Sequence, residues 1–218
     1  MSTGPQNETR RLKSLRPWFL VLAMVITWLA GVYGVTAGCG TVVYLREGRV
    51  PDETFAIADA QAMPDASSAV VAYREGAELR AIAAFGKVMM PISVAQVLLS
   101  ILLVAASAMA LAGRPGSRSF ALQTLAANAI FAIVAYVVKS DLRDHWVTAT
   151  VEAARQIGGD PVFGKTPASL YWLARARLLI FEVGVVGFAV LAMLSKRTSV
   201  FLDAVAQAEA QREREDEP

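Results

Sequence analysis

The 218 residues are enough for one domain with at most a small appendage. Apolar residues make up 55% of the chain and charged residues 18%, against roughly 25% charged in a soluble domain, so there is too little charged surface to cover a water-soluble fold of this size. The net charge of +2 excludes nucleic acid as an expected partner, and the single Cys39 and single His145 exclude a Cys-x-x-Cys redox pair, a multi-histidine haem site and an ordinary zinc site, so no metal or cofactor is expected.

A basic tail, residues 1–17, comes first, with Arg10, Arg11, Lys13 and Arg16 close together. It leads into an uncharged apolar stretch from Trp18 to Leu45. A membrane-crossing helix needs about 20 such residues, because the hydrocarbon core is ~30 Å thick and each residue rises ~1.5 Å. This stretch therefore predicts a first span. Ala30, Gly34 and Gly38 recur in it at four-residue spacing, with Thr27 and Thr41 near the same stripe, which lets a neighbouring helix approach closely. Inside the stretch, Thr36-Ala37-Gly38-Cys39 resembles the lipobox of a bacterial lipoprotein signal, in which Cys39 would be lipidated after cleavage. The apolar run continues past Cys39 through Val42, Val43 and Leu45, whereas a mature lipoprotein begins polar, so a span is the preferred reading.

Residues 46–87 form a loop with helical potential. Pro51 and Asp52 open one short helix, Pro64 ends it, and Asp65 to Ser68 cap a second that runs into the next span. That span covers Val88 to Gly113, with Pro91 near its start as a source of kinking. Ser93, Ser100 and Ser107 lie at seven-residue spacing on it, with Gln96 on the same face. The turn Arg114-Pro115-Gly116-Ser117-Arg118 holds two arginines and no acid. A third span follows from Ser119 to Val138, carrying Gln123, Thr124 and Asn128. All these polar groups are expected to point inward and hydrogen-bond across the bundle.

The second intervening stretch, residues 139–170, contains a helix. Leu142, Trp146, Ala149, Ala153 and Ile157 recur at helical spacing from Asp141 onward, ending at the capping pair Gly158-Gly159. Asp141, Arg143, Asp144, His145 and Glu152 cluster here, but one histidine with scattered carboxylates marks a solvated helix start rather than a metal site.

A fourth span runs from about Tyr171 to Leu194 and alone carries charges, namely Arg175, Arg177 and Glu182. Glu182 stands 13 residues before Ser195, about 20 Å from that end at ~1.5 Å per residue. A carboxylate at that depth is a functional candidate by default. Lys87 and Lys139, at the outer ends of the second and third spans, are the basic groups placed to pair with it, and Gln96 can donate to it. With Asn128 these make a candidate intramembrane polar site.

Lys196 and Arg197 close the fourth span, and residues 198–218 form a tail that is helical to Ala210 and acidic from Glu213 to Glu217. The density of lysine and arginine before the first span, in the turn after the second and after the fourth places those three positions on the cytoplasmic side. The expected fold is all-α. It comprises four spans (about 18–45, 88–113, 119–138 and 171–194) within a transmembrane domain of residues 18–197, with outer loops 46–87 and 139–170 forming a small helical extracytoplasmic cap. Both termini would lie in the cytoplasm of a bacterium, the domain in its inner membrane. The expected partners are the lipid bilayer and either another membrane protein or further copies of the chain. A non-enzymatic, partner-binding role leads. A transporter or channel component using Glu182 and Gln96 comes second. An enzyme at the outer interface comes third, since no nucleophile-plus-base pair is present for it.

Overall fold

In the computed structural model, residues 16–48, 58–114, 116–157 and 166–216 are described. Every regular element among them is helical. In chain order these are α1 (Trp18–Glu47), α2 (Ala66–Ala84), α3 (Gly86–Ala112), α4 (Ser117–Val138), α5 (Ser140–Ile157), α6 (Pro167–Leu178), a π-helical segment (Leu179–Val186), α7 (Gly187–Leu194) and α8 (Lys196–Asp216). The basic tail up to residue 15, the opening of the expected short helix at Pro51-Asp52 and the cap at Gly158-Gly159 lie outside the described residues, while residues 58–61, ahead of Pro64, are helical.

Helices α1, α3 and α4 are each long and apolar enough to cross a membrane. A fourth crossing exists if Gly184–Leu194 and Lys196–Ala208, bent by 61° across Ser195, count as one broken span. The stretch expected as the fourth span is helical throughout but is not one α-helix: α6, the π-helical segment and α7 share it. The bend has a local cause. Ser195 adopts extended backbone (φ −58°, ψ 134°), its N–H finishing one helix on Leu191 O while its carbonyl accepts from Ser199 N to start the next.

The chain divides into two compact units. The first comprises residues up to Thr36, Gln96–Phe131 and Ile180 onward. Its core joins Leu20, Ala23 and Met24 of α1 to Leu103, Ala106 and Ala110 of α3, Ala121 and Leu125 of α4, and Ala189 and Met193 of α7. The recurring alanines, with side chains of one carbon, let the helix backbones approach closely. Phe201, Leu202 and Val205 of α8 are buried in the same core, so the C-terminal helix is part of this unit rather than a free tail. At the end of α3 the chain reverses through Gly113 (φ +73°): its N–H donates to Ala110 O and that of Arg114 to Met109 O, the paired bonds of a Schellman cap.

The second unit comprises Ala37–Ala95 and Ala132–Leu179. Asp65 caps α2, its Oδ2 accepting from both the N–H and the hydroxyl of Ser68. Along α2, Ala69, Tyr73, Ala77 and Ala81 form a buried stripe at four-residue spacing. Against it pack Trp146, Val147 and Val151 of α5 and Leu170 of α6. Trp146 Nε1 donates to Arg74 O at 3.2 Å, which satisfies the one polar atom of a mostly buried indole. The opposite face of α5 carries exposed Asp141, Asp144, His145, Glu152 and Arg155. The α4 and α5 ladders join almost without a break, since Lys139 N donates to Ala135 O and Arg143 N to Lys139 O. The break between α2 and α3 falls at Phe85, ahead of Pro91, which lies inside α3.

Candidate functional site

Of the five residues expected to form an intramembrane polar site, Gln96, Asn128 and Glu182 belong to the first unit, Lys87 and Lys139 to the second. The backbone at Glu182 is π-helical; its side chain lies outside the described residues. Gln96 is half-buried. Asn128 Nδ2 donates to Thr124 O at 3.0 Å on its own helix and to Leu99 O at 3.4 Å on α3, a link between two helices.

The hydroxyls of the apolar helices follow a common pattern. Thr27 donates to Ala23 O at 2.7 Å, Thr41 to Ala37 O at 3.0 Å and Ser107 to Leu103 O at 2.8 Å, each one turn back on its own helix. Ser93, Ser100 and Ser107 are all buried, as is Thr124, whereas Gln123 is exposed and does not point inward. Gly34 and Gly38 are buried and Ala30 is half-buried.

Two glycines mark tight approaches of α1 to α3, Gly34 within that stripe and Gly31 outside it. A Cβ on Gly31 would stand 2.8 Å from Val104 Cγ2 and 3.1 Å from Ser100 O, and one on Gly34 would collide with the Ser100 hydroxyl. The four-residue pattern includes Gly34 and misses Gly31, which is buried where Ala30 is only half-buried.

Lys139 is half-buried beside Arg177, Arg143 and Glu78 of its unit. Burial, reinforced by the two arginines and opposed by Glu78, holds its ammonium below the usual lysine range. The guanidinium of Arg143 lies over the Tyr136 ring at 3.8 Å and donates to Tyr136 O. His145 meets the Phe85 ring edge-on, with centroids 6.0 Å apart, and Asp144 accepts from Tyr171 Oη at 2.7 Å. Among the described residues no three His, Cys, Asp or Glu side chains gather in a way that could hold a metal ion.

Lys87 is exposed at the rim of a cleft of about 350 Å³, which Tyr44, Leu45, Gly48, Ala83, Gly86 and Met90 also line. In the same unit Arg80 stacks on the Tyr73 ring at 4.7 Å, and its Nη1 and Nη2 are buried without hydrogen-bond partners among the described residues, as is the Tyr44 hydroxyl.

A second groove, also of about 350 Å³, lies in the first unit and is lined by Arg114, Gly116, Ser117, Arg118, Ser119, Leu122, Leu202, Asp203 and Ala206. Arg118 organises it. Its Nε donates to Met193 O at 3.2 Å, and its Nη1 donates to Ser199 Oγ at 2.9 Å, which in turn donates to Asp203 Oδ2. Sequence alone carries no signal for these partners, 75 and 81 residues away. Cys39 is exposed within the unbroken helix α1. No family model, curated protein or solved structure matches this chain.

Proposed function

We propose that this chain is a multi-pass membrane protein acting as a non-catalytic component that binds another membrane protein or further copies of itself. In this reading its spans form a four-helix bundle with a helical extracytoplasmic cap in a bacterial inner membrane, with both termini cytoplasmic. Large apolar side chains facing outward support the membrane setting: Leu98, Ile130, Ile133, Val137 and Leu191 are each more than half exposed, a pattern that water penalises and lipid does not. The observation that carries the non-catalytic reading is where the buried polar groups direct their hydrogen bonds. Thr27, Thr41 and Ser107 bond back onto carbonyls of their own helices, not across the bundle as expected, and Asn128 alone links two helices, whereas a track for water or protons needs groups free to relay.

A transporter or channel component using Glu182 and Gln96 is the second reading. It is favoured by the π-helical backbone around Glu182, since such windings recur at functional positions. Purification in a gentle detergent, with particle mass measured by light scattering, separates the two. A stoichiometric homo- or hetero-complex is expected. A monodisperse single chain whose proton or solute flux in vesicles falls on Glu182→Gln, with folding intact, would establish the second reading instead.

A further inference from the structure

We propose that the groove at the start of α4 binds a phosphate group, carried by an anionic phospholipid or free in solution. The inference stands apart from the partner-binding reading and survives its failure.

The site begins with a 22-residue helix whose first residue is Ser117; the N–H of Ser117 is taken by Arg114 O and that of Phe120 by Gly116 O, which leaves those of Arg118 and Ser119 as the first-turn donors at the positive end of the helix dipole. Ser117 itself is 1% exposed, and its Oγ has no hydrogen-bond partner among the described residues. A buried hydroxyl left unsatisfied is unfavourable, and one at the groove wall points to a ligand acceptor or donor there. Two guanidinium groups line the same groove. Arg114 is exposed, while Arg118 is held in place by its bonds to Met193 O and Ser199 Oγ. Gly116 (φ +72°) presents bare backbone, with nothing within 4 Å of where a Cβ would be.

Asp203 is the one acid among the lining residues, and its Oδ2 is already engaged by Ser199 Oγ. Two cations and a helix N-terminus therefore outweigh one carboxylate, and the balance selects an anion. A compact oxyanion with several acceptors fits two guanidinium groups and a hydroxyl better than a carboxylate does. Leu122 and Leu202 border the groove and offer an apolar flank where an acyl chain can leave the headgroup. Basic pockets between membrane helices take phospholipid headgroups for these reasons.

The test uses the full chain in neutral detergent with three soluble probes: inorganic phosphate, dihexanoyl phosphatidylglycerol and its zwitterionic phosphatidylcholine counterpart. Binding is read by native mass spectrometry and thermal unfolding, in the parent protein and in Arg114→Gln and Ser117→Ala. Neither substitution touches the Arg118 clamp, and removing a buried unpartnered hydroxyl should not lower the ligand-free unfolding temperature, so a loss of binding in Ser117→Ala is not a loss of folding. The expected result is one anionic lipid bound at least about tenfold more tightly than the zwitterionic one, with each substitution weakening it by roughly tenfold, the loss of one charge-assisted or neutral-to-charged hydrogen bond. Saturable binding of inorganic phosphate with no lipid preference, equally sensitive to both substitutions, would assign the same site to free phosphate. Equal affinity for both lipids with no phosphate binding, or binding unaltered by the substitutions, overturns the proposal.

Discussion

Gly34 of α1 and Ser100 of α3 lie so close that a methyl group on the glycine would overlap the serine hydroxyl. With Gly31 against Val104, this contact lets the two helices meet nearly backbone to backbone. Small residues act in this way because close backbones gain dispersion contacts along the whole length of the approach.

Gly34→Ala should therefore destabilise the protein by about 1–3 kcal/mol, the usual range for overpacking, despite alanine's better helix propensity. Ser100→Ala removes the hydroxyl that the new methyl would meet first, so the double variant should recover part of the loss. Unfolding of all four proteins in one detergent measures the coupling. Additive effects would show that the helices separate freely at this point.

Trp146 holds α2 against α5. Trp146→Ala should cost about 3–5 kcal/mol and Trp146→Phe about 1–2, the latter mainly through the lost bond to Arg74 O and the smaller ring. Hydrogen exchange should then rise in Ala69–Ala81 and in the facing turns of α5, with the α1–α3 contact at Gly34 unaffected.

Gly113 couples the turn after α3 to the C-terminal helix. A Cβ there would be 3.2 Å from Val205 Cγ1, in a left-handed conformation that itself disfavours a side chain by about 1–2 kcal/mol. Gly113→Ala should lower stability by roughly 2 kcal/mol. In a Val205→Ala background the packing part should vanish while the backbone part stays. Limited proteolysis near residues 196–208 gives a second readout, since α8 should become easier to cut as its contact weakens.

Lys139 supplies a pH dependence. Its folded pKa lies below the unfolded value, because burial and the neighbouring Arg177 and Arg143 disfavour the ammonium. The unfolded chain then binds more protons between the two values, so this group makes stability rise with pH across that alkaline window, and below it the penalty is present in full. Lys139→Met should raise the unfolding temperature at pH 7 and flatten the alkaline rise. A variant as steep as the parent in the alkaline range below pH 10.5 would place the effect on another group.

The apolar helices were legible in the chain because their signal is local. An unbroken run of about 20 apolar residues must satisfy its own backbone groups, and only a helix does so within one segment. The i, i+4 stripes and the Asp65 cap are local in the same sense. Glu182 was legible as a candidate because a carboxylate in an apolar run is visible from its neighbours alone. The remainder needed the tertiary structure. That Gly31 meets Val104 depends on how α1 and α3 pack, and Val205 of α8 is buried beyond the 61° bend at Ser195. The groove at Ser117 likewise exists only because Arg118 reaches residues 75 and 81 positions away. Such pairings depend on how packed helices share space, which the order of residues along one helix does not encode.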